Sequence, residues 1–596
     1  MPIRLLVVVA ASLVASHTCA AFTVHGVWHD REDFAAGPAA PDAHLHELVF
    51  AVRQNNLPEL ERILLDVSDP ASANYGKHLT HKQVHELTAN PAATRAIVQF
   101  CNEHGLSVKN TSAYGEYVTV HAPVATWNGL LGTRFVQLYR AQRNIVQSVV
   151  RSTSYTMPSE LVEHVYHVLG AVELPLRDVP PLEVHSILPK HATALSLGSS
   201  QGAGENPCHS LMTPQCWNYY YNQTTNDARG QSQLVFGQRG YVISPTDMQT
   251  FATSSGIDVQ TIDCPNGGCD GDSTCQGYDP NMKPNGYLCV EGDLDVQWIT
   301  AVGQSANNTF WQVQNLDTPF LEFITHIASL AEPPGVVTIS YGSLESEMLP
   351  HNMDLFTAEA MKLGAQGVSI LAANGDDGVA GYKARNDSSK CGYTTSFPGT
   401  CPWVTSVGGT QNAENDPEDH QVHTLREWAA NAPDQQGPWT KVTTAGGFSN
   451  YFARPAYQNA SVDAYFNTAE SKRAKPGYST TGRGIPDVST NAINYHIFIT
   501  SFNSFVSGTS GSSPALAGMV SVLNAQRAKK NKPKLGFLNP LLYASPQLAK
   551  DVTIGWNNCT AVPTICCEEG FTAAAGWDPL TGIGSPNYMQ WAKVSL

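Results

Sequence analysis

The sequence predicts an α/β body, a parallel sheet with helices on both faces, preceded by a smaller α+β domain. Three observations carry this prediction. From Gln233 onward, strand-like and helix-like segments alternate at 233–237, 245–255, 291–303, 309–314, 319–330, 336–341, 348–364 and 368–373. Such alternation is the pattern of a parallel sheet wrapped by its crossover helices. Upstream, strands at 46–54, 117–122 and 135–140 intermix with helices at 57–66, 94–104 and 124–131, as in a compact α+β domain. Residues from about 175 to 207 are rich in Pro, then Ser and Gly, without periodicity, and read as a linker.

Taken in chain order, residues 1–21 read as a signal peptide: Arg4, the apolar run Leu5 to Ala15, then small residues around Cys19-Ala20-Ala21. The run is too short to span a bilayer, and no other uncharged apolar stretch of about 18 residues follows. The α+β domain occupies 22–175, the linker 176–207 and the larger body 208–596. A chain of 596 residues has room for several domains and a large core. Lys+Arg 35 against Asp+Glu 51 gives a net charge of −16, which argues against nucleic acid as a partner. A soluble protein exported into the secretory pathway, and then secreted or delivered to the lysosome, is expected. Sequons at Asn110, Asn222, Asn307, Asn386, Asn459 and Asn558 fit that route.

The chain holds 13 cysteines, a number that suits an oxidising compartment. Cys19 leaves with the signal peptide and Cys101 lies in the first domain. The odd number from Cys208 onward leaves at least one unpaired within that region. Cys264, Cys269, Cys275 and Cys289 crowd a Gly/Asp/Pro-rich stretch whose spacing fits no zinc pattern, so disulfides are expected there. Connectivity is not readable from the spacing.

The chemistry concentrates in three places. Ser507-Gly508-Thr509-Ser510-Gly511-Ser512-Ser513-Pro514 runs from a tight turn into a helix-like segment. A hydroxyl there sits among free backbone N–H groups, where developing negative charge is favoured. Ser510 is the candidate nucleophile; a Ser/Thr-rich N-cap without chemistry is the alternative. Subtilisin-type serine proteases pair a similar serine with a histidine. The His-Gly pairs here, His25-Gly26 and His104-Gly105, lie far from this region in sequence. Another base is required.

Glu291 and Asp295 stand four residues apart on a segment whose Leu294, Trp298, Ile299 and Val302 recur at helical spacing, so an amphipathic helix is expected with both carboxylates on one face. Held in a cleft, such a pair shares protons and can supply a base; on a solvated face it is an ordinary acidic helix start. The third place is Asn374-Gly375-Asp376-Asp377-Gly378, which follows an apolar run and resembles a buried strand opening into a loop at its C-terminal end, where open α/β sheets bind ligands. A plain polar turn is the alternative there.

Together these residues resemble the sedolisins, serine-carboxyl peptidases, and most of all the lysosomal tripeptidyl-peptidase branch. The resemblance covers most of the chain. It includes Val337-Thr338-Ile339-Ser340-Tyr341-Gly342, Gly446-Gly447-Phe448-Ser449-Asn450 and Gly536-Phe537-Leu538-Asn539-Pro540. It implies a subtilisin-like, doubly wound catalytic domain behind a ferredoxin-like pro-domain that inhibits intramolecularly until cleavage in the 176–207 region. By the same resemblance Ser510 is nucleophile, Glu291 its base, Asp295 the acid orienting that base, and Asp376 the oxyanion donor. Asn374 stands where the family usually has Ser, and Gly511 where Ala is more usual. The resemblance also implies one structural Ca2+ held by Asp551, Val552, Ala574, Gly576 and Asp578, a hard-oxygen set suited to calcium. The implied activity is acid hydrolysis of peptides or unfolded protein, releasing tripeptides from free N-termini, by a protein expected to be monomeric. A broad endopeptidase of the same family and an inactive peptide-binding glycoprotein are the competing readings.

Overall fold

The computed structural model describes residues 23–25, 33–142, 145–176, 184–185, 207–208, 211–275, 287–411, 423–424, 442–561 and 565–596. The expected signal peptide and most of the expected linker lie outside them. The described residues form two compact units, residues 1–55 with 89–174 and residues 56–88 with 175–596.

The smaller unit is built on a four-stranded antiparallel sheet. In space its strands run Ser107–Thr111, Tyr117–Pro123, Leu45–Val52, Val165–Leu169. Numbered along the chain this is 4-1-3-2, and the helices Pro91–Glu103 and Val124–Leu130 complete a βαββαβ, ferredoxin-like order. The alternation Leu48, Phe50, Val52 against Val118, Val120, Ala122 turns one face into a core that also takes Ile97, Phe100 and Trp127. The strand expected at 135–140 is Val136–Gln142; its hairpin partner Ile145–Arg151 and the closing strand Val165–Leu169 lacked a sequence signal. The closing strand is short and carries His167 inward, hydrogen-bonded to buried Glu173 at 2.7 Å. That inward polar residue breaks the apolar alternation a strand is read from.

In the larger unit seven parallel strands form the central sheet: β1 (Ser232–Gly237), β2 (Ile262–Asp263), β3 (Asn307–Gln312), β4 (Val336–Ile339), β5 (Ser369–Ala373), β6 (Thr405–Gln411) and β7 (Val488–Asn491). Their spatial order is β2-β3-β1-β4-β5-β6-β7, so the chain reverses direction across the sheet on either side of β1. Its longer helices and those used below are α1 (Leu57–Ser68), α2 (His81–Thr88), α3 (Pro245–Ser255), α4 (Tyr287–Val302), α5 (Pro319–Ser329), α6 (Pro350–Ala365), α7 (Thr509–Lys529), α8 (Asn539–Ala544) and α9 (Tyr588–Ser595), with shorter ones at Pro214–Tyr220, Gly271–Thr274 and Asn459–Phe466. The expected fold class holds in both units. Among the described residues no helix is long and apolar enough to cross a membrane.

One expectation needs correcting. α4 is not amphipathic: every residue from Cys289 to Val302 is buried. Its polar side chains find partners inside instead of water. Gln297 exchanges hydrogen bonds with the backbone of Phe498 at 2.8 and 2.9 Å, and the Trp298 indole donates to the His496 carbonyl at 3.1 Å. The end of α4 crosses α7 so closely that a Cβ on Gly303 would lie 2.9 Å from the Gly518 carbonyl, and one on Gly518 would lie 2.7 Å from that of Ile299. The cysteine-rich stretch before α4 forms Cys264–Cys269 and Cys275–Cys289 disulfides, as expected. Cys208–Cys216, Cys391–Cys567 and Cys559–Cys566 are also bonded, which leaves Cys101 and Cys401 as buried free thiols among the described residues.

Residues 56–88, from the stretch read as the first domain, pack within the larger unit. Leu64 of α1 meets Gly364 of α6, where a Cβ would lie 2.8 Å from it, and the Leu79 N–H donates to the Ala365 carbonyl at 2.9 Å. His78 wedges between Gly367 and Gly536, and its Nε2 has no partner among the described residues. Burial, helped by the charges of Lys534 and Arg527, lowers its pKa from 6.5 to about 4. The charged ring is disfavoured only where the segment is docked, so this contribution is complete above 6.5 and is lost as pH falls through about 4. Hydrogen exchange of the α1 and α2 amides, corrected for intrinsic rates, is therefore expected to accelerate from pH 7 to pH 4.5, by at most about a hundredfold. His78→Gln, which cannot titrate, should weaken that dependence. Equal acceleration in both proteins would remove His78 as its source.

Candidate active site

The C-terminal ends of β4 and β5 open into a cleft of about 830 Å³ including its mouth, and Glu291, Ser340, Tyr341, Asp376, Thr509 and Ser510 all line it. Ligand sites of open parallel sheets form at such strand ends. The residues arrive from four places: Glu291 from α4, Ser340 from the end of β4, Asp376 from the loop after β5, and Thr509 with Ser510 from the first turn of α7. Three segments singled out in the sequence thus meet in one cleft. Among the described residues lining it, none is histidine.

Ser510, 5% exposed, is the second residue of α7, where backbone N–H groups lack intrahelical acceptors. Its hydroxyl has two acceptors, the Ser340 carbonyl at 3.2 Å and the Glu291 carboxylate. The neighbouring hydroxyls are occupied otherwise. Ser512 donates to the Asn491 carbonyl at 2.9 Å, Ser513 bonds Thr338 at 2.8 Å, and Ser507 accepts from the Asn494 N–H at 3.0 Å. Of the serines in this stretch, Ser510 lines the cleft.

Glu291 and Asp295 lie one turn apart on α4, 7% and 1% exposed. Burial raises both carboxyls above their usual range; the Asp376 charge adds to the shift of Glu291, and the Glu291 charge to that of Asp295. Ser510 and Ser340 oppose the shifts by donating to Glu291 and Asp295, the latter at 2.8 Å. Among the described residues Glu291 Oε1 and Asp295 Oδ2 have no partner, which leaves each carboxyl a place for a proton. The two titrate as a coupled pair.

Asp376 accepts from the backbone N–H and the hydroxyl of Thr509, both at 2.8 Å and both on Oδ1. Burial raises its pKa despite these donors. Asp377 is held apart by a bidentate pair with Arg385, at 2.6 and 2.9 Å. Asn374 is fully buried and its amide donates to the Ala445 carbonyl and to Thr444 Oγ1. Its side chain thereby ties the end of β5 to the segment that carries the Asp376 loop's backbone partner, the Thr443 N–H. Gly511 has a local cause: a Cβ there would lie 2.4 Å from the Tyr495 ring.

Sequence reasoning did not give Ser340 or Pro514 a role. Pro514, inside α7, has no N–H to bond the carbonyl four residues back, which is that of Ser510. That carbonyl accepts from the Ser340 hydroxyl at 3.2 Å instead. The signal was present as a proline in the first turns of a helix, where an unpaired carbonyl must follow.

The five residues read as calcium ligands also converge. Asp551 accepts from the Gly576 N–H at 2.8 Å, and Gly576 has φ +83°. Asp578 is fully buried, accepts from the N–H groups of Ala574, Leu580 and Thr581, and is pushed up to about 7 by burial, with the Asp551 charge adding to the shift. Among the described residues the carbonyls of Val552, Ala574 and Gly576 accept no hydrogen bond. Two facing carboxylates and three unpaired carbonyls are hard oxygen donors without a cationic partner, a set that fits calcium.

Comparison with known proteins finds relatives along most of the chain. Residues 34–174 match the family described as "Pro-kumamolisin, activation domain", and residues 290–536 match "Subtilase family". Physarolisin of Physarum polycephalum is 30% identical over 93% of this chain and 94% of its own length. Tripeptidyl-peptidase sed1 of Aspergillus fumigatus is 29% identical over 90% of both chains. Probable tripeptidyl-peptidase SED3 of Arthroderma benhamiae is 28% identical over 94% and 92%. A solved Pseudomonas sedolisin aligns with 64% of this chain and 97% of its own at 21% identity and TM-score 0.48.

Proposed function

Because the chain belongs to the sedolisin family of serine-carboxyl peptidases and is a serine-type peptidase made as a zymogen, we propose that Ser510, Glu291, Asp295 and Asp376 perform its hydrolysis. The observation that carries the reading is the Ser510 hydroxyl, shared between the Ser340 carbonyl and Glu291 in a cleft without histidine. Glu291 takes the Ser510 proton as Oγ attacks the scissile carbonyl, and Asp295 orients Glu291 and shares its protons. The tetrahedral oxyanion accepts hydrogen bonds from protonated Asp376 and from the Ser510 N–H. An ionised carboxylate could only accept, so the raised pKa of Asp376 keeps it a donor to higher pH than an ordinary aspartate. The proton on Glu291 then passes to the leaving amine, and water resolves the acyl-enzyme.

The substrate is a peptide or unfolded protein, cut three residues from a free N-terminus. The names of the fungal relatives support this mode. Physically it requires one closed end of the cleft and an acceptor for the α-ammonium, which an acetylated terminus would leave desolvated and unpaired. The activation domain acts as the intramolecular inhibitor, released by cleavage in residues 176–207, and the apolar leader with its sequons supports export, to the outside or to the lysosome. One calcium, held by Asp551, Asp578 and the carbonyls of Val552, Ala574 and Gly576, supplies the missing positive charge at the C-terminal end and stabilises the fold.

An unstructured peptide and its N-acetylated twin, incubated with the protein in acid, test the mode. Tripeptides released from the free form alone are expected, with Ser510→Ala lowering the rate by roughly a thousandfold or more. Internal cuts, or equal cleavage of both peptides, would show an endopeptidase; no cleavage of either would leave a binding protein.

Asp376→Asn is expected to harm activity less at neutral than at acid pH relative to the parent, because an amide donates at every pH. A pH-independent loss would make Asp376 structural.

A chelator is expected to lower Tm by several degrees, since a metal bound only by the folded state stabilises it by mass action. Asp551→Ala should lower Tm without chelator and respond little to it. Unchanged melting, with no metal in elemental analysis, would remove the site.

A further inference from the structure

Ser340 touches both halves of the catalytic group, and the contacts run in both directions. Its hydroxyl hydrogen lies between Asp295 Oδ1 at 2.8 Å and the Ser510 carbonyl at 3.2 Å. Its own carbonyl accepts from the Ser510 hydroxyl at 3.2 Å. Charged acceptors make the shorter and stronger bond, so the hydroxyl belongs mainly to Asp295. The second acceptor exists because Pro514 cannot use it. Ser340 ends a strand whose four residues are all buried and whose Thr338 bonds Ser513 of α7 at 2.8 Å. Its position relative to both helices is therefore fixed by the sheet.

We propose that Ser340 is a positioning residue for the reaction: its hydroxyl holds Asp295, and through it the coupled pair, while its carbonyl holds the Ser510 hydroxyl beside Glu291 until the substrate arrives. The inference rests on the assignment of Ser510, Glu291 and Asp295 given above. Two consequences follow from the chemistry. A donor to Asp295 favours its charged form, so removing that donor raises the proton affinity of the pair. A residue that orients the base without touching substrate changes kcat and leaves KM alone. The groups facing Ser340 are Asp295 and Ser510 by hydrogen bond, with Glu291 and Asp376 in the same cleft and Tyr341 next in the chain.

The experiment measures kcat and KM against pH on one unstructured peptide for the full chain and for Ser340→Ala, Ser340→Cys and Ser340→Thr. In Ser340→Ala the limb on which the rate rises with pH is expected to move to higher pH. Its plateau kcat should fall about tenfold or more, within the range typical of positioned bases, with KM nearly unchanged. Threonine keeps the hydroxyl and should return the limb to the parent position; cysteine, a weak donor of similar size, should lie between. The position of a limb does not depend on how much of a preparation is folded or processed, so impaired folding cannot imitate the shift. A limb that stays in place in both Ser340→Ala and Ser340→Cys, or one that threonine fails to restore, would overturn the proposal. Ser510→Ala is run beside them: if that variant kept its activity, the catalytic assignment itself would fail, independently of Ser340.

Discussion

The contact of α4 with α7 at Gly303 and Gly518 sets the geometry on which the rest of the larger unit depends. Neither glycine is there for backbone freedom; each is there because a Cβ would strike the opposite backbone, at 2.9 Å from Gly303 and 2.7 Å from Gly518. The two helices therefore pack backbone to backbone. α4 carries Glu291 and Asp295, and α7 carries Ser510, so helix separation becomes the separation of base and nucleophile. Other contacts leave α4 little freedom to slide. A Cβ on Gly292 would lie 2.5 Å from the Val242 carbonyl, Asp293 accepts from the Ser244 N–H at 2.8 Å, and the Cys275–Cys289 disulfide holds the first turn.

Within that frame the catalytic group uses a defect in α7. An uninterrupted helix would close the Ser510 carbonyl with the N–H of residue 514; proline there withholds it. The free carbonyl turns to Ser340, the residue whose own carbonyl receives the Ser510 hydroxyl. A missing backbone hydrogen bond is thus replaced by a link between helix and sheet. The same economy appears at Asp376, whose Oδ1 accepts from both the N–H and the hydroxyl of Thr509 at the buried start of α7. Both links end at the first turn, where unpaired backbone groups must find partners outside the helix.

Much of this was legible in the sequence, for a physical reason. Strand and helix periodicity survives in single sequences, so the alternation from Gln233 onward placed β1, β3, β4 and β5 and the helices α3 to α6 to within a few residues, while β2, β6 and β7 were not read. The Ser510 turn, the four-residue spacing of Glu291 and Asp295, and the loop at Asp376 were visible because local geometry fixes them. What stayed hidden depends on distant neighbours. α4 reads as amphipathic because Leu294, Trp298, Ile299 and Val302 recur at helical spacing while Glu291 and Asp295 stack four apart, and only the tertiary structure puts both faces inside. Gly511, where the resembling family more usually has Ala, has no evident reason until the Tyr495 ring is seen where a Cβ would stand. The pairing of Cys391 with Cys567, 176 residues away, instead of its neighbour Cys401, has no local signature. Ser340 has none either; it is one serine after a buried strand.

The buried titratable groups divide by sign. Glu291, Asp293 and Asp295 are raised by burial first and then by neighbouring carboxylates, Asp376 for Glu291, Asp247 and Asp272 for Asp293, and Glu291 for Asp295. A carboxyl raised in the folded state contributes stability that is complete below its unfolded pKa and is lost as pH rises through the folded one. His78 runs the other way: lowered on docking, it contributes above 6.5 and its contribution disappears as pH falls through about 4. Acidification therefore strengthens the carboxyl-lined core of the larger unit while weakening the hold of that unit on residues 56–88. These residues lie within the stretch that matches an activation domain. A single change of proton concentration thus drives the two parts of one compact unit in opposite directions, because one buries acids that resist ionisation and the other a base that resists protonation.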